Sequence, residues 1–379
     1  MIVASCVFRL LMFSMLKFLF FSMIVLTMAT CCKAISQEDH QYMFISAQFH
    51  NQYIWRHFDA MIGEVNNPVH SIEVNLGWKT AGADPWNSLY NYPSYGFGFF
   101  YNNLKNPEIF GVARSGFLFM EFPFGQKRFV DHRMKVSAGI AHLSTYYDPV
   151  ENPHNLNIGS SFNLHFNLNY SWFFPVNDRI LLAPGLSFTH YSNGAFKKPN
   201  RGINLLDVNL AIRYRGDERV SNVMDADRPQ PEWPQNKHRT YLFFSGGVMQ
   251  RFIDDPNYRV FTLTVNHALQ TGPGARWGVG LDFTYDDHAK ERIDRQKDNP
   301  VLVDYMRMGA FASHDIVFDR MTVLLNLGGY LYYGYEPDSR IYPRIGLRYE
   351  IANRITAQLA LKSYRLRANH VQWGLGYEL

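Results

Sequence analysis

Polar and apolar residues alternate one for one along most of this chain, and that period constrains its fold more than any other feature. Ile72, Val74, Leu76 and Trp78 interleave with Glu73, Asn75, Gly77 and Lys79, and Tyr95, Phe97, Phe99 and Tyr101 interleave with glycines at 96 and 98. Across 155–172, asparagines, Ser161 and His165 hold one parity while Leu156, Ile158, Phe162, Leu164, Phe166, Leu168 and Tyr170 hold the other. The stretches 277–285, 343–351 and 371–379 repeat the pattern. Successive side chains of a strand point to opposite faces, so this period means sheet, and no helical period runs for a useful length. The segments are longer than the about five or six residues of a common globular strand. They match the ~9–11 that a tilted strand needs to cross a bilayer.

The chain holds 30 Phe, 23 Tyr and 7 Trp, yet its mean hydropathy is −0.23. Lipid-facing strands with aromatic girdles and a polar interior give that combination. A soluble β-sandwich would have to fit the same aromatic faces into a core about 10 Å thick. The expected fold is therefore all-β, an antiparallel transmembrane β-barrel of about 16 strands (range ~12–16), spanning residues 35–379. Short links at 175–178, 271–274 and 352–354 fall on the periplasmic side, and the 193–203 turn and the charged stretch 286–300 fall outside. The segment 216–238 resists this scheme. It is long, polar and carries Pro229, Pro231 and Pro234, yet it lands where turns should be short. It is either a long turn inside one barrel, the preferred arrangement, or a linker between two small eight-stranded barrels in tandem.

Residues 1–34 have the layout of a signal peptide. Arg9 and Lys17 precede an apolar run over 18–29, and small residues around 29–34 offer a cleavage site, with Met15 as an alternative start. Cys6, Cys31 and Cys32 all lie in this segment. Cleavage after Ala34 would leave no thiol for a disulfide or a metal, so the barrel is expected to hold together without cross-links. The net charge of +4 and the lack of a basic stripe with interleaved aromatics argue against a nucleic-acid partner. The aromatic strand 371–379 is similar to the signal read by the outer-membrane barrel assembly machinery, although it ends in leucine. That makes the machinery an expected partner and the bacterial outer membrane the expected location.

The chemistry concentrates in 179–215. Leu182, Pro184, Leu186 and Phe188 share a parity with His190 and Ser192, and Asn204 shares one with Leu206, Val208, Leu210, Ile212 and Tyr214. Ser187, Thr189, Tyr191, Asp207, Asn209, Arg213 and Arg215 take the opposite parity. A histidine, a serine and an asparagine thus stand on the apolar face, where a barrel meets acyl chains. Same-face neighbours two apart on a strand have Cα atoms about 6.5–7 Å apart, a gap that an imidazole and a hydroxyl can bridge to activate a nucleophile.

His190-Tyr-Ser192-Asn193, followed by Pro199-Asn200, Gly202 and a polar residue at 204, resembles the motif of the outer-membrane lipid A 3-O-deacylases, the acyloxyacyl hydrolases of lipopolysaccharide. Asn157-Ile-Gly-Ser-Ser-Phe-Asn163 looks like the strand that precedes it, and the similarity covers roughly 134–215. The resemblance implies a membrane-embedded ester hydrolase that removes a hydroxy-acyl chain from lipid A with no metal or cofactor. Ser192 would be the nucleophile, His190 the base, and Asn193 would bind the oxyanion. The departure is at 204, where the family places a glutamate and this chain has Asn204. An amide oxygen can accept the Nδ1 proton and fix the tautomer, but it brings no charge to an imidazolium. Asp207 is the nearest carboxylate, and its parity points it into the lumen.

Lys197, Lys198 and Arg201 lie in the same outer turn and are candidates to bind lipid A phosphates. His142-Leu-Ser144 repeats His-x-Ser without the downstream residues and reads as structural. The alternative function is a non-catalytic outer-membrane barrel, a porin or a surface lipid-binding protein, that retains a relic of the motif.

Overall fold

The computed structural model describes residues 40–58, 61, 68–81, 85–127, 130–216, 237–365 and 367–379. The expected signal peptide and nearly all of 216–238 lie outside the described residues. The first eight strands are β1 (His40–Ile54), β2 (Val69–Thr80), β3 (Ser94–Asn103), β4 (Val112–Lys127), β5 (Val130–Leu143), β6 (Phe162–Pro175), β7 (Ile180–Ser192) and β8 (Ile203–Arg215). The second eight are β9 (His238–Met249), β10 (Tyr258–Gly272), β11 (Ala275–Asp286), β12 (Met306–Phe318), β13 (Met321–Tyr333), β14 (Ile341–Ala352), β15 (Ile355–Tyr364) and β16 (Arg367–Glu378). The expected sixteen strands are present, and they close as two antiparallel barrels in tandem, β1 to β8 and β9 to β16. β1 pairs with β8 and β16 with β9. The 216–238 segment is thus the connection between barrels.

The two-residue period sets which side chains enter each barrel. Along β8, Leu206, Val208, Leu210, Ile212 and Tyr214 are exposed, while Leu205, Asp207, Asn209, Ala211 and Arg213 are buried inside. An eight-stranded barrel leaves only enough interior for side chains, and both lumens are filled with paired charges. In the first, Glu121 accepts two bonds from Arg213 (2.7 Å each) and one from Arg133 (3.0 Å), and Lys135 pairs with Glu73. In the second, Asp282 accepts from Thr264 (2.6 Å) and Tyr342 (2.8 Å) and pairs with Arg344. Arg348 pairs with Asp315 (3.2 Å) and Arg307 with Asp286 (3.0 Å). An unpaired charge in such a place would cost several kcal/mol, so these pairs are what lets the lumens hold charge.

Turns at 176–179, 273–274, 319–320 and 353–354 are short, whereas 144–161, 193–202, 250–257 and 287–305 are long. Short turns mark the periplasmic end, so the 193–202 turn faces outside as expected. Two local expectations change. The strand anticipated from residue 155 begins only at Phe162, because the asparagines before it bond to loop backbone: Asn155 Nδ2 donates to the Ile109 carbonyl (2.6 Å), and its Oδ1 accepts from the Ile158 amide (3.1 Å). Within 286–300 a helix forms over Asp287–Asp294, capped by Asp286, whose carboxylate accepts from the amides of His288 (2.9 Å) and Ala289 (3.4 Å). Eight residues are too few to show a helical period among polar loop residues.

Candidate active site

The β7–β8 register pairs His190 directly with Asn204. His190 Nδ1–H donates to Asn204 Oδ1 (2.6 Å), which leaves Nε2 to accept from the Ser192 hydroxyl (2.9 Å). The three side chains form one row on the face shared with Leu186 and Leu206, both exposed toward lipid. The imidazole also lies nearly parallel to the Phe188 ring, 6.5 Å between centroids. Asp207 stays in the lumen, where it accepts from Gln52 (2.9 Å), Ser187 (2.5 Å) and Asn209 (2.8 Å) and sits 3.1 Å from His50. It offers His190 no charge.

The turn after Ser192 is held on several sides. Gly202 has φ +79°, and a Cβ there would lie 2.7 Å from His190 Cε1, so only glycine lets the ring keep its place. Asn157 brackets this glycine, its carbonyl accepting from the Gly202 amide (2.9 Å) and its Nδ2 donating to the Gly202 carbonyl (2.7 Å). Gly159 packs on the backbone of 197–199 so closely that a Cβ would come within 2.5 Å of the Pro199 carbonyl oxygen.

Asn193 does not stand free as the motif suggested. Both hydrogens of its side-chain amide are committed, to Ser160 Oγ (3.0 Å) and the Lys197 carbonyl (2.8 Å), and its backbone amide donates to Asn200 Oδ1 (2.9 Å). These bonds make Asn193 a brace of the turn. Asn200 is different. Its oxygen is fixed by the Asn193 backbone, and its Nδ2 hydrogens make no hydrogen bond among the described residues.

The three basic residues separate. Lys197 and Arg201 are exposed, Arg201 with its guanidinium 4.3 Å over the Phe58 ring. The Arg201 carbonyl is 3.0 Å from His57 Nε2. Lys198 is partly buried against the second barrel, and its backbone amide donates to Gln250 Oε1 (2.6 Å). Burial, aided by the nearby Arg251 and Arg367 and opposed by Asp338, holds the Lys198 ammonium below the usual lysine range. His142 and Ser144 do not form a second pair. His142 packs edge-on against Phe162, and Ser144 Oγ accepts from the Val112 amide (2.8 Å). Sequence reading named His190, Ser192 and Asn204. It placed Ser160 in the family-like 157–163 stretch without giving it a role, and it missed His57 and Gln250, which are remote in the chain and carry no motif signal.

A closed barrel with a hydrogen-bonded hydroxyl, imidazole and amide on the outward parity of one hairpin is the fold of an integral outer-membrane protein. Residues 70–213 match the family model described as lipid A 3-O-deacylase (PagL), and residues 238–379 match that of the acyloxyacyl hydrolase C-terminal domain. The chain belongs to the lipid A 3-O-deacylase (PagL) family of the outer membrane. The family match is thus wider than the 134–215 motif region and takes in the second barrel. No curated protein matches the chain. Among solved structures, the outer-membrane enzyme PagL is 17% identical, with 45% of this chain and 98% of that one covered at a TM-score of 0.30. Neisserial surface protein A is 9% identical, with 45% and 96% covered at a TM-score of 0.30.

Proposed function

We propose that the chain hydrolyses an ester-linked hydroxy-acyl chain of lipid A, with Ser192 as nucleophile, His190 as base and Asn204 as the group that orients the imidazole. The observation that carries this reading is the continuous hydrogen-bonded row from Asn204 through His190 to Ser192 on the lipid-facing side. Family membership supplies the substrate class. As Ser192 Oγ attacks the ester carbonyl carbon, its proton passes to His190 Nε2. Collapse of the tetrahedral intermediate breaks the bond to the sugar oxygen, which takes that proton from the imidazolium. Water, deprotonated by the same histidine, then releases the hydroxy fatty acid from the serine. The oxyanion needs an oriented donor in a low-dielectric setting. Asn200 supplies free amide hydrogens there, whereas Asn193 has none left on its side chain. Lys197 and Arg201, exposed on the outer turn, suit the phosphates of the glucosamine backbone.

Mass spectrometry of lipid A from cells expressing the chain tests this directly. The wild type should remove one hydroxy-acyl mass, and His190→Ala and Ser192→Ala should each abolish that loss, since general base catalysis alone is worth about 10²–10⁴ in rate. A wild-type profile with no acyl loss, or one that survives both substitutions, refutes the reading.

A further inference from the structure

The second barrel reaches the turn that follows Ser192. Gln250, in the 250–257 loop after β9, spans that turn: its Oε1 accepts from the Lys198 amide (2.6 Å), and its own backbone amide donates to the Ala195 carbonyl (3.0 Å). Its Nε2 donates to the Asp255 carbonyl (2.6 Å), which fixes the rotamer that presents Oε1 to Lys198. The loop behind it is stiff. Arg251 makes a bidentate pair with Asp338 (2.5 Å each) in the neighbouring 334–340 loop, and the Phe252 amide donates to Asp255 Oδ2 (3.0 Å). Beside this clamp, Val371 and Leu361 of β16 and β15 pack on Gly194, where a Cβ would come within 2.5 Å of Val371 Cγ2. Ala195 itself holds φ +69°, a left-handed conformation that a side-chain-bearing residue keeps only when its surroundings enforce it.

We infer that Gln250 is a positioning residue for the hydrolytic site: the second barrel, through this side chain, sets the conformation of the 193–200 turn and thereby the placement of the Ser192 hydroxyl and the Asn200 amide. The inference rests on the Ser192 reading given above and extends it to a function for the second barrel. Asn193 pins the turn from within the first barrel by its bonds to Ser160 and Lys197. Gln250 pins the same turn from the second barrel, at residues 195 and 198. A turn fixed at both flanks cannot drift by the ångström that costs a reaction about 10²-fold.

The test uses the full-length chain in outer-membrane vesicles, with deacylation rates measured against lipid A concentration and folding followed by heat-modifiable gel migration. Gln250→Leu keeps the bulk but offers Lys198 no acceptor. It should fold and lower kcat about 10-fold or more with KM within about 2-fold of wild type, the signature of lost transition-state alignment. Gln250→Glu keeps an acceptor for the Lys198 amide but loses the donor to the Asp255 carbonyl, so it should recover only part of that loss. If Gln250→Leu matches wild type while His190→Ala is inactive, the positioning role falls and the catalytic reading stands. A loss in Gln250→Leu that falls on KM with kcat unchanged would also overturn it, because substrate binding and not alignment would then be responsible. Full activity in His190→Ala would instead remove the catalytic reading on which both rest.

Discussion

Asn204 stands where the deacylase motif carries a glutamate, and in the proposed mechanism the exchange changes what His190 gains on taking the serine proton. The neutral amide oxygen 2.6 Å from Nδ1 fixes the tautomer, but it contributes little to a positive imidazolium in a low-dielectric setting, where a carboxylate contributes strongly. Asn204→Glu should therefore raise kcat, by about 10-fold or more within the range that general base catalysis commands, and Asn204→Ala should lower it. Steady-state deacylation rates of the two variants check this, and a slower Asn204→Glu enzyme would show that the site is tuned to the amide. Asn200 carries a second expectation. Removing the Asn200 side-chain amide, whose hydrogens no described residue accepts, should on the proposed reading cost about 10²–10³ in kcat, the usual loss for an oxyanion donor, with KM little changed. Unaltered turnover in Asn200→Ala would send the search for the donor to the turn backbone.

At the scale of elements, the period-two pattern was enough to find the strands and to place His190, Ser192 and Asn204 on one outward face, because parity along a strand is a covalent constraint. The register that sets His190 against Asn204 also follows from a hairpin whose arms both keep an apolar outer face. The role of Asn193 was not legible. It depends on Ser160 and Lys197 closing around its amide, and Ser160 comes from a different loop, 33 residues away. The same limit applies to 155–161, where an alternating run became a loop because Asn155 and Asn157 found backbone partners in other segments. Alternation reports the faces of a strand that exists. It does not report side-chain amides that divert the backbone from the ladder. Gln250 was out of reach for a further reason: its partners belong to the other barrel, and no local period links them.

The described residues form two filled barrels in one chain, and this separates them from a pore with the same number of strands. Sixteen strands in one ring enclose an aqueous channel, whereas eight leave a lumen that side chains occupy. Here Glu121 with Arg133 and Arg213 crosses the first lumen, and Asp282 with Tyr342 and Arg344 crosses the second. The barrels meet at the periplasmic end as well as at Gln250, through the Tyr90 hydroxyl donating to the Val317 carbonyl (2.8 Å) and the Tyr90 ring 4.4 Å from Phe318. On the proposed reading, a filled interior leaves the outward face of β7 and β8 as the surface that meets the lipid substrate. The purified chain in a planar bilayer should accordingly show no stepwise conductance of porin size while the same preparation deacylates lipid A. Channel-sized steps that persist in the Ser192→Ala variant would mean that the strands can close as one wide ring. The outward row at 190, 192 and 204 would then need a different explanation.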